Sequence, residues 1–541
     1  ALLYGSEAIG GVLNIIEEQP AADGTKESDI NIGTYSNTLG ASVDGGFRFS
    51  KENKSWGLRG GVNSNADYTD GESKRIRNSR FAGYYLKAFR GWQHGKWTSM
   101  NHFTSSLDNF GFITEDNANS FLRDGRWSRS MGGPHHTVLL NVLSSENSIR
   151  LQHSELDIDG GIQSNLRMEN EGDHKVSLNM LLSTLLWRVM WKKMVKAHTE
   201  VILSNNSQFE NNTNFGSRII IPDADLFESG FSGFLRHHMR KCIIEAGVGA
   251  SVRSIHTMET AGVNTPDKSI RPFDKTKPSL NGSVGVALNP SPAWTLKANA
   301  STGFRSGNLA ELSSDGLHEG TLRYEIGDPN LKIEQNVMGE VSIAWHSGSF
   351  EATANLFYNR FFNYIYLDPA GTTFLGFEVF RFRQFDASLA GSEDRIAMDF
   401  PGLGMMHVES NFSTVRGKLA GGANLPFIPP SRWRQELRYP WHAKTVDGGY
   451  AFVNVTTTYA QERPAEFETP TAGHTLVNAG IGGSVHMTRR TITINISGNN
   501  LLNKNYYDHL SRFKDYGIHN IGRNIVVHVH IPLDNHLKIK S

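Results

Sequence analysis

The chain has 541 residues, 38% of them hydrophobic, and its 54 basic and 54 acidic side chains give a formal net charge of zero. Balanced charge argues against a nucleic-acid binder, which has to neutralise phosphates. A single cysteine, Cys242, excludes an intrachain disulfide framework. Composition does not separate a large soluble β protein from a membrane barrel, because barrel strands present only half of their side chains to lipid.

The N-terminus opens as ALLYGSEAIGG. A secretory signal peptide has a basic start, an apolar stretch and a small-residue cleavage site, and none of these is present. Either the protein is cytoplasmic or the sequence is truncated, and we expect truncation because of the motifs described below.

Alternation of apolar and polar residues with a period of two is the main pattern from residue 23 onward, clearest at 55–64, 351–360, 491–497 and 524–532. This pattern predicts strands with one apolar and one polar face. Strands of ~9–11 residues with their connections use roughly 23 residues each, which gives about 22 strands. The most apolar run, 178–187, is too short to cross a membrane as a helix.

Polar stretches between these segments predict outward loops at 67–80, 115–134, 259–278 and 311–330. We find no low-complexity region and no repeat that would indicate a propeller or a solenoid. Repetition of strands without a helical interlude favours a closed barrel, the one sheet that leaves no unpaired backbone in lipid.

Four segments carry a resemblance to a known family. They are YGSEAIGGVLNII (4–16), the stretch GFRSGNLAELSSDGLHEGTLRYEIGDPNLKIEQN (303–336), FRQFDASLAGSE (382–393) and NNLLNKNYYDHLSRFKDYGIHNIGRNI (499–525). In this order they resemble, respectively, the end of the plug, a barrel signature, the following hairpin and the last loop of TonB-dependent receptors. Val12 to Ile16 would then form a buried strand inside the lumen.

The resemblance implies an all-β fold, a transmembrane antiparallel β-barrel of about 22 strands with a remnant of an N-terminal plug domain. We assign residues 1–22 to the C-terminal end of the plug, 23–533 to the barrel and 534–541 to a C-terminal tail. Most of the plug and the energising box would precede Ala1. Family members usually end on an aromatic residue, so the segment after Leu533 indicates either a different assembly or an aberrant end.

The resemblance also implies a function, a location and partners. We expect energised uptake of a scarce ligand through a monomeric barrel in the outer membrane of a Gram-negative bacterium. The expected partners are the TonB–ExbB–ExbD energising complex, outer-membrane lipid and lipopolysaccharide, and a small ligand, but no nucleic acid. No resident cofactor is expected.

The family carries iron chelates, haem, vitamin B12, metal ions and saccharides, so the ligand stays open. The 21 histidines favour a metal ion or chelate, such as Zn²⁺, haem or a siderophore, because imidazole is a common metal ligand. The segment GLHEGTLRYEIGD (316–328) resembles the corresponding loop of receptors linked to zinc uptake. Its candidate ligands are His318, Glu319, Glu325 and Asp328. Alternatively, His318 packs the loop while Glu325 and Asp328 cap turns.

His135 and His136 follow Gly-Gly-Pro in a predicted turn and are either additional ligands or solvated turn residues. The neighbours His237 and His238 would point to opposite faces of a strand, so no shared function is expected of them.

Arg305, Glu311 and Glu334 lie within the 303–336 motif. A charge that faces the lumen beside a plug needs a partner, and we hypothesise that these three contact the plug and hold it. The alternative is that they are ordinary solvated residues at strand ends.

An enzyme is not predicted, because no Gly-x-Ser-x-Gly elbow, phosphate loop or His-Glu-x-x-His helix stands in a supporting context. The remaining alternatives are a passive porin, which would lack the 4–16 segment, and a surface-binding, adhesin-like β protein.

Overall fold

The computed structural model describes residues 9–113, 124–171, 175–262, 265–318, 323–374, 376–487 and 490–533. Within these ranges the chain forms 26 β-strands, one short α-helix and two 3₁₀ turns. The strands are β1 (Lys26–Tyr35), β2 (Gly40–Lys51), β3 (Lys54–Asn65), β4 (Phe81–His94), β5 (Trp97–Gly111), β6 (His135–Arg150), β7 (Ser154–Asn170), β8 (Val176–Lys196), β9 (Thr199–Asn214), β10 (Ala224–Met239), β11 (Cys242–Thr257), β12 (Thr260–Gly262), β13 (Thr265–Ile270), β14 (Asp274–Ser291), β15 (Trp294–Arg305), β16 (Asp315–His318), β17 (Arg323–Ile326), β18 (Glu334–Ser347), β19 (Phe350–Phe374), β20 (Phe377–Phe400), β21 (Met406–Leu419), β22 (Arg432–Ala443), β23 (Val446–Thr458), β24 (His474–His486), β25 (Thr491–Asn499) and β26 (Asn524–Pro532). The helix α1 spans Leu309–Ser313, and the 3₁₀ turns span Pro401–Leu403 and Lys514–Tyr516.

Twenty-two of the described strands form one antiparallel barrel, while β12, β13, β16 and β17 form two small hairpins within loops. The barrel closes between β1 and β26, where Asp29 lies opposite Pro532 and Tyr35 lies opposite Val526. Closure removes the exposed sheet edge that would otherwise pair with other chains. The predicted all-β barrel of about 22 strands is confirmed.

None of the helices in the described ranges is long and apolar enough to cross a membrane. The apolar run 178–187 belongs instead to the long strand β8.

Short turns and longer loops alternate around the barrel. One rim carries two-residue turns such as 52–53, 95–96 and 197–198, whereas the other carries loops such as 66–80 and 306–333. In outer-membrane barrels the short turns face the periplasm and the long loops face the exterior. We therefore call the two ends the periplasmic rim and the extracellular rim.

The period-two pattern separates an apolar outer wall from a polar lumen. Trp56 and Leu58 are 47% and 41% exposed on the outer wall. Arg59 points the other way and binds Asp29 at 2.6 Å and Asp44 at 2.7 Å. Charges facing the lumen are thus paired across strands, which offsets their desolvation, and the outer wall suits lipid.

Two of the predicted loops contain more regular structure than expected. The loop predicted at 259–278 includes the hairpin β12–β13, and its last residues already belong to β14. The loop predicted at 311–330 contains part of α1 and the hairpin β16–β17. Barrel strands here reach 25 residues, well beyond the ~9–11 needed to span lipid, so the extracellular side is built partly from strand extensions.

The N-terminal segment, residues 9–22, lies in the lumen and contacts inward-facing side chains of the barrel. Glu18 binds Arg59 at 2.9 Å, Glu17 binds Lys87 at 3.3 Å, and Ile9 packs against a buried cluster that includes Phe361. The described residues of this segment form no strand.

The expectation of a buried strand over Val12 to Ile16 is therefore wrong. Leu13 is 96% exposed and Ile15 is 82% exposed. A strand needs a neighbouring backbone with which to pair, and no pairing of this stretch occurs in the part of the chain that the structure describes. The predicted boundary at residue 22 stays a prediction, as does the tail 534–541, which lies outside the described residues.

Candidate ligand-binding site

One arginine joins the two ends of the long loop between β15 and β18. Arg305, the last residue of β15, donates to both carboxylate oxygens of Glu311 at 2.8 and 2.7 Å and to Glu334 Oε2 at 2.9 Å. Glu334 begins β18 and also accepts the backbone N–H of Ile365 at 2.8 Å. Charge-assisted, bidentate bonds of this kind are the strong ones, so both ends of the loop are held together at the barrel wall.

Helix α1 follows because the local sequence is a capping box. The Asn308 side chain accepts the N–H of Glu311 at 2.9 Å, and Glu311 accepts the N–H of Asn308 at 2.8 Å. The Gly-Asp-Pro-Asn stretch then returns over the helix, where Gly327 donates its N–H to Ser314 at 2.7 Å. A Cβ on Gly327 would lie 2.5 Å from the Ser313 nitrogen, so only glycine fits this approach.

The hairpin β16–β17 is docked on the tall hairpin β19–β20. Strand β17 pairs in parallel with β20, and Glu325 lies opposite Phe380. Arg323 stacks over the ring of Phe380 at 4.4 Å, and the Tyr324 hydroxyl donates to Asp315 at 2.8 Å. The loop hairpin is therefore a rigid part of the extracellular wall.

This hairpin brings together two of the four predicted metal ligands. His318 Nδ1 lies 3.3 Å from Glu325 Oε1, with Glu325 buried. The Asp328 carboxylate accepts the N–H of Asn330 at 2.8 Å, as a turn cap does. Glu319 lies outside the described residues.

Within the described ranges no group of three or more His, Cys, Asp or Glu side chains is arranged to hold a metal ion. The arrangement therefore offers an imidazole and a carboxylate rather than a full coordination shell. Closed structural zinc sites use four protein ligands, so a metal bound here would keep ligands of its own.

The histidine pair at the start of β6 diverges. His135 Nδ1 lies 2.9 Å from the carbonyl oxygen of Gly133. His136 is buried between the rings of Phe110 and Phe112, at 4.9 and 4.7 Å, and its Nδ1 lies 3.4 Å from Glu169. The two imidazoles thus have different neighbours and do not form one pair of ligands.

The three residues predicted to contact the plug bind one another, as described above. The N-terminal segment does come close to them, because a Cβ on Gly303 would lie 3.0 Å from Ile9 Cγ1. Gly303 is two residues from Arg305 on the same strand. A direct contact of Arg305, Glu311 or Glu334 with a plug stays a prediction.

The sequence analysis did not predict a deeply buried charge cluster in the loop between β3 and β4. Arg80 is fully buried and binds both oxygens of Asp67, at 2.9 and 2.7 Å, together with Asp124. Burial alone would lower the pKa of Arg80, but its bonds to the two aspartates outweigh this effect and raise it. The alternation of acids and bases over 67–80 was the available signal.

Glu169, which binds Arg167 and Arg218, was also missed. Arg218 is distant in sequence from Glu169, so only the barrel's strand order brings the two charges together.

Comparison with known proteins agrees with this architecture. Residues 247–501 match the sequence family described as TonB dependent receptor-like, beta-barrel. The fold is similar to the copper transporter OprC, with a TM-score of 0.82 and 14% identity over 98% of this chain and 84% of that chain. It is also similar to the siderophore receptor PirA from Acinetobacter baumannii, with a TM-score of 0.75 and 13% identity over 98% and 84% of the two chains.

A third similar structure is the hemophore receptor HasR from Serratia marcescens, in complex with its hemophore HasA and heme, with a TM-score of 0.70 and 12% identity over 94% and 80% of the chains. The matched family and these structures are receptors and transporters, which confirms that no enzyme is to be expected. A 22-strand barrel of this family implies an outer-membrane protein. Residues 247–501 thus match the family of TonB-dependent receptor β-barrels, and the closed 22-strand barrel has the fold of the receptor and transporter structures named above.

Proposed function

We propose that this protein is a receptor for energised uptake of a metal chelate or metal ion across the outer membrane of a Gram-negative bacterium. The observation that carries the ligand class is the His318–Glu325 pair on the extracellular hairpin β16–β17. Imidazole and carboxylate together suit borderline metal ions such as zinc and copper.

The incomplete shell favours a chelate over a bare ion. Two side chains leave open positions on a metal, and a siderophore, haem or other small chelator would fill them. Support comes from the similar structures, which include a copper transporter, a siderophore receptor and a hemophore receptor.

Energised uptake requires a segment in the lumen that can be pulled. Residues 9–22 lie there, attached through the ion pairs of Glu17 and Glu18 and through the packing of Ile9. Glu17 and Lys87 are the more exposed pair, and exposed ion pairs contribute little to stability, which suits a segment that has to leave the wall. The pulling partner is TonB, with ExbB and ExbD completing the complex. The receptor would act as a monomer surrounded by lipid and lipopolysaccharide.

Calorimetry on the full chain in detergent tests the ligand class. The probes are Zn²⁺, Cu²⁺, haem and a ferric catecholate, each titrated separately. We expect one of them to bind, and we expect His318→Ala and Glu325→Gln each to weaken that binding at least tenfold. The matched control is His256→Ala, because His256 also pairs with a carboxylate, Asp274 at 2.5 Å, on the extracellular rim.

Equal loss in the control, or no binding of any probe, contradicts the metal assignment. Energised transport is tested separately by following uptake of the bound probe in cells with and without TonB. Uptake that continues unchanged without TonB would favour a passive porin instead.

A further inference from the structure

A cation lies beside the His318–Glu325 pair on the extracellular hairpin. Arg323 is directly opposite His318 in the pairing of β16 with β17, and it is two residues from Glu325 on the same strand. Directly opposed residues of antiparallel strands share a face of the sheet, as do residues two apart on one strand. His318, Arg323 and Glu325 therefore lie on one face of the hairpin, together with Phe380, which is opposite Glu325 on β20.

Three phenylalanine rings surround the guanidinium of Arg323. Its Cζ atom lies 4.4 Å from the ring centroid of Phe380, which is buried, and 5.7 Å from that of Phe427. Phe467 contacts both rings, at centroid distances of 5.5 and 6.0 Å. The three rings come from β20, from the β21–β22 loop and from the β23–β24 loop, so only the folded barrel brings them to Arg323.

The guanidinium of Arg323 has no anionic partner. The residue is half-buried, yet in the described part of the chain its side chain forms neither a hydrogen bond nor an ion pair. Glu378 lies opposite Arg323 on β20, but it is exposed and does not bind the guanidinium. A guanidinium carries its N–H donors in a planar fork that binds two acceptor oxygens at once. Arg323 therefore offers unused donors and a positive charge to an anionic group of a ligand.

Phe427 presents its ring to solvent from a strained backbone. Its φ is 60°, in the left-handed region that a bulky side chain rarely adopts, and the residue is 45% exposed. The β23–β24 loop holds it there, because Glu468 accepts the N–H of Phe427 at 2.9 Å and Gln461 donates to the Ile428 carbonyl at 2.7 Å. Strain of this kind is concentrated at ligand-binding sites. The exposed ring is thus fixed in place before a ligand arrives.

The angles between the rings limit the size of the aromatic group that fits. Phe427 and Phe467 are inclined by 65°, and Phe380 and Phe467 by 82°. Rings at these angles form a notch whose exposed wall is Phe427, and they form no flat platform. A single ring suits such a notch through edge-to-face or offset contact, whereas a macrocycle such as haem needs a wide flat surface.

We propose that Arg323 and Phe427 form a subsite for an anionic, single-ring group of the ligand, such as a catecholate. Arg323 supplies the positive charge and the paired donors, and Phe427 packs against the ring. This inference rests on the proposed function, because it takes the hairpin with His318 and Glu325 as the ligand-binding surface, and it narrows the ligand to a negatively charged aromatic chelate. A ferric trihydroxamate has neither an aromatic ring nor a net charge and would gain nothing from this subsite.

Calorimetry on the full chain in detergent tests the subsite with a ferric catecholate, a ferric trihydroxamate and haem as probes. We expect the catecholate to bind about tenfold more tightly than either of the others, as one charge-assisted hydrogen bond would give. Arg323→Gln should remove that advantage, and Arg323→Lys, which keeps the charge but not the fork, should keep part of it. Phe427→Leu should weaken catecholate binding about fivefold, whereas Phe427→Tyr, which keeps a ring, should bind as the unchanged protein does.

The matched control is Arg129→Gln, because Arg129 also lies over an exposed aromatic ring, that of Trp127 at 6.0 Å, in an extracellular loop. Hydrogen exchange of the Gly327 amide, which donates to Ser314, verifies that each variant keeps the hairpin loop folded. Equal loss in the control, equal or tighter binding of the trihydroxamate or of haem, or full catecholate binding by Arg323→Gln overturns the proposal.

The same titrations separate this inference from the proposed function. If the trihydroxamate or haem binds and His318→Ala weakens that binding while Arg323→Gln does not, the proposed function holds and the aromatic subsite is wrong. Absence of binding by every probe, Zn²⁺ and Cu²⁺ included, contradicts both.

Discussion

Two arginine-centred clusters, one in the extracellular loops and one in the lumen, use the same chemistry for different ends. Arg80 and its partner Asp67 have no exposed side-chain surface, and both belong to the loop between β3 and β4. Arg59 is 16% exposed and joins the barrel wall to Glu18 of the N-terminal segment.

The difference lies in what happens when one partner leaves. Arg59 binds Asp29 and Asp44 of the barrel as well as Glu18, so it stays paired if Glu18 departs. Removing Arg80 would leave the buried Asp67 with Arg75, 2.7 Å away, as its remaining cation, and taking one partner from a buried charge is destabilising. The loop cluster is therefore a permanent brace, and the lumen cluster is a contact that can be released.

The largest expected effect is that of Arg80→Met. We expect the loop to lose about 1–3 kcal/mol of local stability, the usual cost of removing one partner of a buried polar group, because Arg75 still binds Asp67. The amide of Ile76, which donates to the Tyr68 carbonyl at 2.9 Å, should then exchange with solvent roughly one to two orders of magnitude faster. Hydrogen exchange measures this directly.

Arg126→Met is the control, because Arg126 is an exposed arginine of the neighbouring loop. If Arg80→Met and Arg126→Met change the exchange rate of Ile76 equally, the loop cluster is not a brace.

The barrel was predictable because its signal is local and repeated. Alternation such as Trp56–Gly57–Leu58–Arg59 fixes which side chains face lipid, and the strand length then fixes the approximate strand number. The charge clusters were not predictable in the same way. Asp124 reaches Arg80 from a different loop, and Glu18 reaches Arg59 from another part of the chain, so each pair depends on the closed barrel.

At the candidate site, the sequence analysis overlooked a local structural signal. The loop 311–330 reads as polar and irregular, yet Asn308 and Glu311 form a capping box that predicts a helix start. His318 and Glu325, both predicted as metal ligands, lie 3.3 Å apart, and their role as ligands stays a prediction. The turn-capping position of Asp328 matches the structural alternative for that residue, since its carboxylate binds a backbone N–H.

Lowering the pH should decrease the stability of the extracellular loops but not that of the Arg59 cluster in the lumen. His509, in the loop before β26, is buried, and its Nδ1 lies 2.8 Å from the Thr471 hydroxyl. Burial lowers the pKa of His509, Lys514 lowers it further, and Glu468 opposes the shift.

A lowered folded-state pKa means that the stability due to neutral His509 is complete above the ordinary value of about 6.5. This stability is lost as the pH falls from there toward the lowered pKa. The protection factors of the loop amides, which correct for the slower intrinsic exchange in acid, should therefore fall between pH 7 and pH 5, and His509→Gln should remove most of that fall. An unchanged pH profile in the variant would contradict the assignment.

The smallest expected effect is that of Glu18→Gln on the release of the N-terminal segment. Glu18 is partly exposed and accepts two hydrogen bonds from Arg59, at 3.0 and 2.9 Å, so the pair contributes about 1 kcal/mol, the upper end of the range for exposed pairs. Release under force, measured by pulling on the N-terminus, should become about 1.5- to 5-fold faster. The gain should disappear in high salt, because screening already weakens the pair.

Glu17→Gln, whose contact with Lys87 is longer and more exposed, is the control and should change release less. The thermal stability of the barrel should not move in either variant, because Asp29 and Asp44 keep Arg59 paired. A fall in barrel stability comparable to that of Arg80→Met would show that the lumen contact is a second brace and not a releasable one.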